Sequence, residues 1–506
     1  MNNNRQRKLG ALLSYISIFA STLVQLLYTP FLIRMLGQSE YGLYSLIASI
    51  IGYLTVLDLG FGNAIIVYTA KYRAQGKIDE EKKLHGMFKI VFYVIGIIAF
   101  LLGIVLYFNV NSLFGNTMTS VELEKAKIMM LILSFNLFVT FTFSIYQSII
   151  TASEKFVFQK IMSILNTILK PLMMIPLLFL GYKSITMTIV ITIVNCMILL
   201  SNYIYCRKKL NTKVKYSGFD RALFKVILGY SIWLFLGAVV DKVNWSVDQA
   251  ILGMVSGTVA VSLYSVAATL NQLFINLSTA ISGVMLPKVT KMVANNASSK
   301  ELTNEMIKVG RIQFYVIFLM VTGLILFGKE FIIWWVGKDF EGAYYVALWL
   351  IIPISFPLIQ NIGLSIMQAM NKYKFKAIST AIMAIINIFI SYFLAKQFGP
   401  LGCAMGTGLA LIVCNIFIIN IYYYKEIKLD VISFWKDIIS MMIKYIPAII
   451  IVLLIMYFTN ISGLLSVIVY GGIYVIFFIT TSYLIVMNDY EKELINKILR
   501  KFKLCR

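Results

Sequence analysis

The sequence predicts an all-α polytopic membrane protein with about fourteen transmembrane helices. Three observations support this fold class. Of the 506 residues, 60% are hydrophobic and only 13% are charged, against about 25% charged residues in ordinary soluble domains. The mean hydropathy is +0.84. Continuous apolar runs of about 20 residues, long enough to cross a bilayer core, recur along the whole chain. These features exclude a soluble enzyme, a disordered chain, a disulfide-rich secreted module and a transmembrane β-barrel with its short alternating strands.

Each apolar run defines one predicted span. The first run follows MNNNRQRKLG and extends to Leu36. It is longer than the apolar core of a signal peptide, so we expect a retained helix. In chain order the predicted spans are residues 11–36, 41–68, 88–108, 126–150, 161–180, 185–205, 226–252, 259–287, 310–328, 343–369, 377–398, 402–424, 441–459 and 464–487.

The positions of the basic residues predict the orientation. With the N-terminus inside, 36 of the 45 Lys and Arg residues fall in inner segments and seven in outer connections, as the positive-inside rule requires. We therefore expect both termini in the cytoplasm. The basic residues that give the net charge of +23 are then expected to lie beside anionic membrane lipid. We do not expect nucleic-acid binding, since no basic stretch is long enough to form a domain. The charged inner loop 71–87 is predicted to be a helical, solvated surface segment, and it contains His85, the sole histidine.

An internal repeat is visible at an offset near 220 residues. The segment Gly42-Leu43-Tyr44-Ser45 aligns with Ser262-Leu263-Tyr264-Ser265, and the turn after Ser148 aligns with the turn after Ser365. Six helices per repeat give both repeats one orientation, so we expect two parallel-repeat six-helix lobes around a central cavity. The predicted domains are an N-terminal lobe (1–206), a C-terminal lobe (207–425) and a segment with helices 13 and 14 and a basic cytoplasmic tail (426–506).

Several charged residues fall inside predicted spans, where a charge costs at least about 2.5–3.5 kcal/mol. Cations there could attract an anionic group and offer it hydrogen bonds, and the candidates are Arg34, Lys170 and Lys242. Carboxylates there could bind a coupling H⁺ or Na⁺ or pair with a cation, and the candidates are Asp58, Asp241 and Asp248. The spacing of Asp241, Asn244 and Asp248 predicts one polar stripe along the seventh helix. Fixed ion pairs or snorkelling side chains would explain the same charges without a transport role. We expect no metal site and no cofactor, and no Walker A pattern is present for direct use of ATP.

The stretch from Ser39 to Tyr72, SEYGLYSLIASIIGYLTVLDLGFGNAIIVYTAKY, resembles the second-helix region of Wzx-type polysaccharide-unit flippases of the multidrug/oligosaccharidyl-lipid/polysaccharide exporter superfamily. Further similar features are DQAILG from Asp248, LYS from Leu263, Leu286-Pro287 and FGPLG from Phe398. The resemblance implies a substrate of oligosaccharide units on undecaprenyl pyrophosphate, moved from the inner to the outer leaflet of the bacterial cytoplasmic membrane for surface polysaccharide synthesis. With such a substrate, the cations Arg34, Lys170 and Lys242 would attract the diphosphate. It also implies a polysaccharide polymerase and chain-length machinery as partners.

Two alternatives remain open at this point. A multidrug exporter of the same superfamily would have a smaller, more apolar cavity coupled to cations. An integral-membrane glycan polymerase would need acid and base residues on a sizeable outer loop, but the outer connections are short and contain no histidine. We therefore expect a secondary transporter, acting by alternating access, that performs no chemical step.

Overall fold

The computed structural model describes residues 3–212, 214, 218–459, 463–493 and 496, and every regular element among them is helical. In chain order the α-helices are α1 (Asn3–Leu36), α2 (Gln38–Tyr53), α3 (Phe61–Ala74), α4 (Ile78–Phe114), α5 (Ser120–Ala152), α6 (Phe156–Phe179), α7 (Ser184–Lys208), α8 (Arg221–Val255), α9 (Gly257–Ala294), α10 (Ser299–Val336), α11 (Ala343–Ile359), α12 (Asn361–Ala369), α13 (Lys374–Leu411), α14 (Ile419–Tyr422), α15 (Val431–Thr459) and α16 (Gly463–Thr481). Short 3₁₀ segments cover Leu54–Asp58 and Lys338–Phe340, and π-helical segments cover Ile412–Ile418, Tyr423–Ile427 and Ser482–Val486.

The predicted fold class is confirmed. Within the described residues, eleven helices are long and apolar enough to cross a membrane, and the bent pair α11–α12 makes twelve. This number is close to the predicted fourteen. The segment Lys374–Ile427 counts as one long helix, yet it contains two predicted spans that meet at Gly399, where the backbone leaves the helical conformation (φ 57°, ψ −132°). The predicted seventh span lies on α8.

Backbone turns recur in the two halves of the chain with the spacing of the sequence repeat. Positive φ angles occur in pairs 217 to 220 residues apart, at Gly37 and Gly257, Gly76 and Asn296, Glu154 and Asn371, Gly181 and Gly399, and Asn211 and Lys428. A stacked aromatic pair also recurs. Phe158 lies 3.9 Å from Tyr205 between ring centroids, and Phe375 lies 4.1 Å from Tyr422. Equivalent helices therefore end and pack in the same way in both halves, which supports a parallel repeat.

The chain forms two compact units, and the first comprises Met1–Ser265 with Ile388–Cys403. In this unit α4 packs along α5, α5 along α7, and α1 along α6. The contact between α4 and α5 requires glycine at Gly103, because a Cβ there would lie 1.9 Å from the Oγ of Ser134. Small residues at such points let membrane helices approach closely enough for van der Waals packing to hold them together.

The second unit comprises Val266–Asn387 with Ala404–Arg506. Here α10 packs against α11, α15 and α16. Aromatic rings fill the space between α10, α15 and α16, since Tyr445 stacks on Phe478 at 4.4 Å and lies 5.4 Å from Phe318. The helices that correspond to predicted spans 13 and 14 are therefore held to α10 by large buried side chains.

The expectation that His85 lies in a solvated loop is wrong. Helix α3 extends to Ala74 and α4 begins at Ile78, so residues 71–87 are mostly helical, as predicted, and only the solvated placement of His85 is corrected. His85 is 1% exposed, and its Nε2 shares a hydrogen bond of 2.9 Å with the Oγ1 of Thr69. Arg73 forms a bidentate pair with Glu81 beside it. Pairing of these charges lets the polar segment pack within the first compact unit, and the high charge content of residues 71–87 concealed this.

Candidate functional site

Lys170 lies inside α6, about 21 Å along the axis from the first residue of that helix. Its side chain is half-buried. None of the described residues gives its ammonium group a hydrogen bond or an ion pair. One turn earlier, the buried Oδ1 of Asn166 also lacks a hydrogen-bond partner in the described part of the chain. Since unpaired polar groups are costly at this depth, Lys170 and Asn166 together are suited to bind a polar ligand.

Lys242 is the second cation inside a span of the first unit. It lies on α8, half-buried, and its Nζ is 3.7 Å from the position that a Cβ on Gly52 would occupy. The ammonium group therefore lies directly beside α2. As with Lys170, no hydrogen bond or ion pair to a described residue engages it. The absence of a side chain at Gly52 leaves room for the lysine at this point on α2.

Asp58 lies where the predicted second span, 41–68, is interrupted. Helix α2 ends at Tyr53, a 3₁₀ segment ends at Asp58, and two residues with positive φ, Leu59 (52°) and Gly60 (74°), precede α3. The Asp58 carboxylate accepts hydrogen bonds from the backbone N–H groups of Gly60 and Gly62. It therefore acts as an acidic cap at the first turn of α3, where N–H groups lack helical partners. The sequence did not predict this break.

Asp248, on α8, is 1% exposed. Its Oδ2 accepts a hydrogen bond from the hydroxyl of Tyr264 on α9, and both residues belong to the first unit. The predicted stripe of Asp241, Asn244 and Asp248 is described only at this last position, because the side chains of Asp241 and Asn244 lie outside the described part of the structure. Asp248 thus has a structural contact that joins two helices, whatever further role it has.

Arg34, the remaining candidate, is exposed in the last turn of α1. Basic side chains are favourable at that end of a helix because they complement its dipole.

Across the described residues of the first unit, the candidate charges inside spans fall into two groups. The carboxylates Asp58 and Asp248 accept hydrogen bonds from protein groups. The ammonium groups of Lys170 and Lys242 do not meet a carboxylate, so the arrangement favours an anion as the missing partner.

A polar cluster that the sequence analysis missed is built on Glu122, at the start of α5. Its Oε1 accepts hydrogen bonds from the Oγ of Ser39 (2.6 Å) and from the Oγ1 of Thr258 (2.7 Å). Its Oε2 accepts the backbone N–H of Thr119 at 2.9 Å. One carboxylate thus joins the starts of α2, α5 and α9. The pattern T-x-x-E from Thr119 to Glu122 is a capping-box signal that could have identified the cap, although not its distant partners.

With this geometry established, comparisons with known proteins identify the lineage. A family model described as "Polysaccharide biosynthesis protein" matches residues 9–293. A curated relative, "Putative O-antigen transporter" of Shigella flexneri, is 23% identical over 407 residues, which cover 78% of this chain and 92% of the relative.

Solved structures show the same fold at low sequence identity. The structure titled "Lipid II flippase MurJ, inward closed conformation" matches with a TM-score of 0.74 and 19% identity, covering 96% of this chain and 99% of that one. An inward-facing multidrug resistance MATE family transporter of the MOP superfamily matches with a TM-score of 0.60 and 14% identity, covering 79% and 96% of the two chains. These relatives are transporters and flippases.

Proposed function

Because this chain belongs to the polysaccharide biosynthesis protein family and is a multi-pass membrane transporter, not an enzyme, we propose that it flips undecaprenyl-pyrophosphate-linked oligosaccharide units. The proposed transport runs from the inner to the outer leaflet of the bacterial cytoplasmic membrane, with both termini cytoplasmic, and supplies surface polysaccharide synthesis. A polymerase and chain-length machinery would then use the product. The two six-helix lobes, 1–206 and 207–425, with the accessory segment 426–506, would exchange access by moving against each other.

The observation that carries this proposal is the pair of cations inside spans that no described carboxylate neutralises, Lys170 and Lys242. A diphosphate offers several anionic oxygens to such ammonium groups, and each contact would be charge-assisted. A multidrug exporter for cationic compounds, the main alternative, would instead require carboxylates that accept no hydrogen bonds from the protein. Asp58 and Asp248 already accept hydrogen bonds from the protein. The charge pattern therefore favours an anionic lipid over a cationic drug.

Transport against a gradient requires a coupled ion, and we propose H⁺ or Na⁺ bound at one of the carboxylates Asp58, Asp241 and Asp248. An ion can drive transport only if it binds the two access states with different affinity. The cap formed by Asp58 at the α2–α3 break would make its ion affinity depend on the conformation of that break.

The test is delivery of lipid-linked units to the outer leaflet in cells that depend on this chain. Lys170→Ala should abolish or strongly reduce delivery while the protein remains in the membrane at normal level. Lys170→Arg should retain part of the activity, since the charge is preserved although its geometry differs. Ile168→Ala, on the apolar face of the same helix, is the matched control. Normal polysaccharide export by the Lys170→Ala variant would remove this lysine from the site.

A further inference from the structure

Helices α1 and α6 each carry a narrow line of polar side chains that lies, except at Gln159, within the predicted spans 11–36 and 161–180. On α1 the line consists of Ser14, Ser17, Ser21, Gln25 and Tyr28; on α6 it consists of Gln159, Ser163, Asn166 and Lys170. Both sets are spaced by three and four residues, so each line keeps to one face of its helix. We call these nine residues the polar track.

Contacts join the two lines into one surface. The Oγ atoms of Ser17 and Ser163 lie 3.3 Å apart, within hydrogen-bonding distance. Farther along both helices, Phe31 packs on Phe179 with ring centroids 5.6 Å apart. From the first contact to the second, the residue number rises on α1 (from 17 to 31) and on α6 (from 163 to 179), so the two helices run parallel. Lys170 lies between these two levels and marks the deep end of the line on α6.

The opposite face of α6 identifies which side meets lipid. Apolar side chains there are exposed, for example Ile168 (45%) and Leu172 (63%). These residues lie about half a turn from the polar line. The contact between Ser17 and Ser163 is itself exposed within the structure. A row of hydroxyl and amide groups would be costly against hydrocarbon, so we expect the track to line a water-accessible space.

We propose that the polar track is the subsite for the sugar portion of the substrate, with Lys170 at the diphosphate end; this rests on the proposed function. Serine hydroxyls and carboxamides both donate and accept hydrogen bonds, which matches the hydroxyl and N-acetyl groups of a saccharide. The ammonium group of Lys170 at one end can make a charge-assisted contact with the diphosphate. The unused Oδ1 of Asn166 adjoins that end, where the first sugar follows the diphosphate.

The experiment measures binding of two lipids to the full-length protein in detergent micelles: undecaprenyl pyrophosphate, and the same lipid carrying N-acetylglucosamine. The Ser17→Ala, Ser163→Ala double variant should bind the glycosylated lipid about tenfold more weakly, from the loss of two neutral hydrogen bonds. It should bind undecaprenyl pyrophosphate as the unchanged protein does. Lys170→Met should weaken both lipids, and Ile168→Ala neither.

The outcomes separate this proposal from the proposed function. If the unchanged protein binds both lipids and the double variant loses affinity for both equally, or for neither, the track is not a sugar subsite. If the unchanged protein binds neither lipid, the proposed substrate is wrong and the subsite with it. A second measurement does not depend on substrate. In a cysteine-free background, Ser163→Cys should react with a charged thiosulfonate reagent and Ile168→Cys should not; the reverse pattern would place the track against lipid.

Discussion

Arg311 provides the sharpest test of how α15 and the segment after α16 are attached to α10. It lies on α10, is 7% exposed, and makes a bidentate contact with Glu491 at 2.6 and 2.9 Å. It also contacts both carboxylate oxygens of Asp437 on α15 at 3.0 and 2.9 Å, and donates to the carbonyl of Val486 at 3.0 Å. One guanidinium therefore connects α10 to α15 and to the segment after α16.

Arg311→Ala would leave Glu491, which is 6% exposed, as a buried charge without its partner. Breaking a buried pair by removing one member costs about 3–5 kcal/mol. Lys329, on the same helix, pairs with Glu341 at 2.7 Å, but both side chains are substantially exposed. Lys329→Ala should therefore change stability little or not at all. The assay is the unfolding midpoint in mixed detergent micelles titrated with dodecyl sulfate.

The effect of pH gives a second measurement on the same site. Burial acts to raise the pKa of Glu491, but hydrogen bonds from Arg311 and from the backbone N–H of Asn488 lower this pKa below its ordinary value. A carboxyl with a lowered pKa stabilises the folded state above its unfolded pKa of about 4.3, and this contribution is lost as the pH falls through the folded value. Acidification below about pH 4.3 should thus destabilise the unchanged protein more than the Arg311→Ala variant.

Equal unfolding midpoints for the Arg311→Ala and Lys329→Ala variants would refute the role assigned to Arg311 in attaching these helices.

Three further predictions concern topology, coupling and the polar cluster at Glu122. Single-cysteine variants at Asn116 and Lys338 should react with thiol reagents from the outside, and those at Glu80 and Asn211 from the inside. Labelling of position 338 from the inside would refute the second half of the map. Asp241→Asn should weaken transport driven by a pH or Na⁺ gradient in proteoliposomes more than it weakens substrate binding. Full gradient-driven transport by this variant would make Asp58 the better coupling candidate. Glu122→Ala should lower stability by about 1–3 kcal/mol, because it leaves the donors at Ser39 and Thr258 without their acceptor. Glu122→Gln should cost less because it keeps an acceptor oxygen, and equal losses in the two variants would argue against the assigned hydrogen bonds.

Hydropathy, charge alternation and short sequence matches were sufficient to predict the membrane class, the approximate helix number and the internal repeat. These are properties of the local sequence, since span length follows from bilayer thickness. The repeated turn at Glu154 and Asn371, both with positive φ, occurs where the sequence pairs align. The same reasoning selected Lys170 as a charge inside a span, from its position alone.

The tertiary structure alone decided which charges have partners. Arg311 meets carboxylates 126 and 180 residues away, and no local pattern encodes that distance. Asp58 proved to cap a break in its span because Leu59 and Gly60 adopt positive φ, whereas hydropathy predicts an uninterrupted helix there. Hydropathy depends on residue type within a window and therefore transfers from sequence to structure. Charge pairing depends on which helices become neighbours, and packing determines this only when the whole chain has folded.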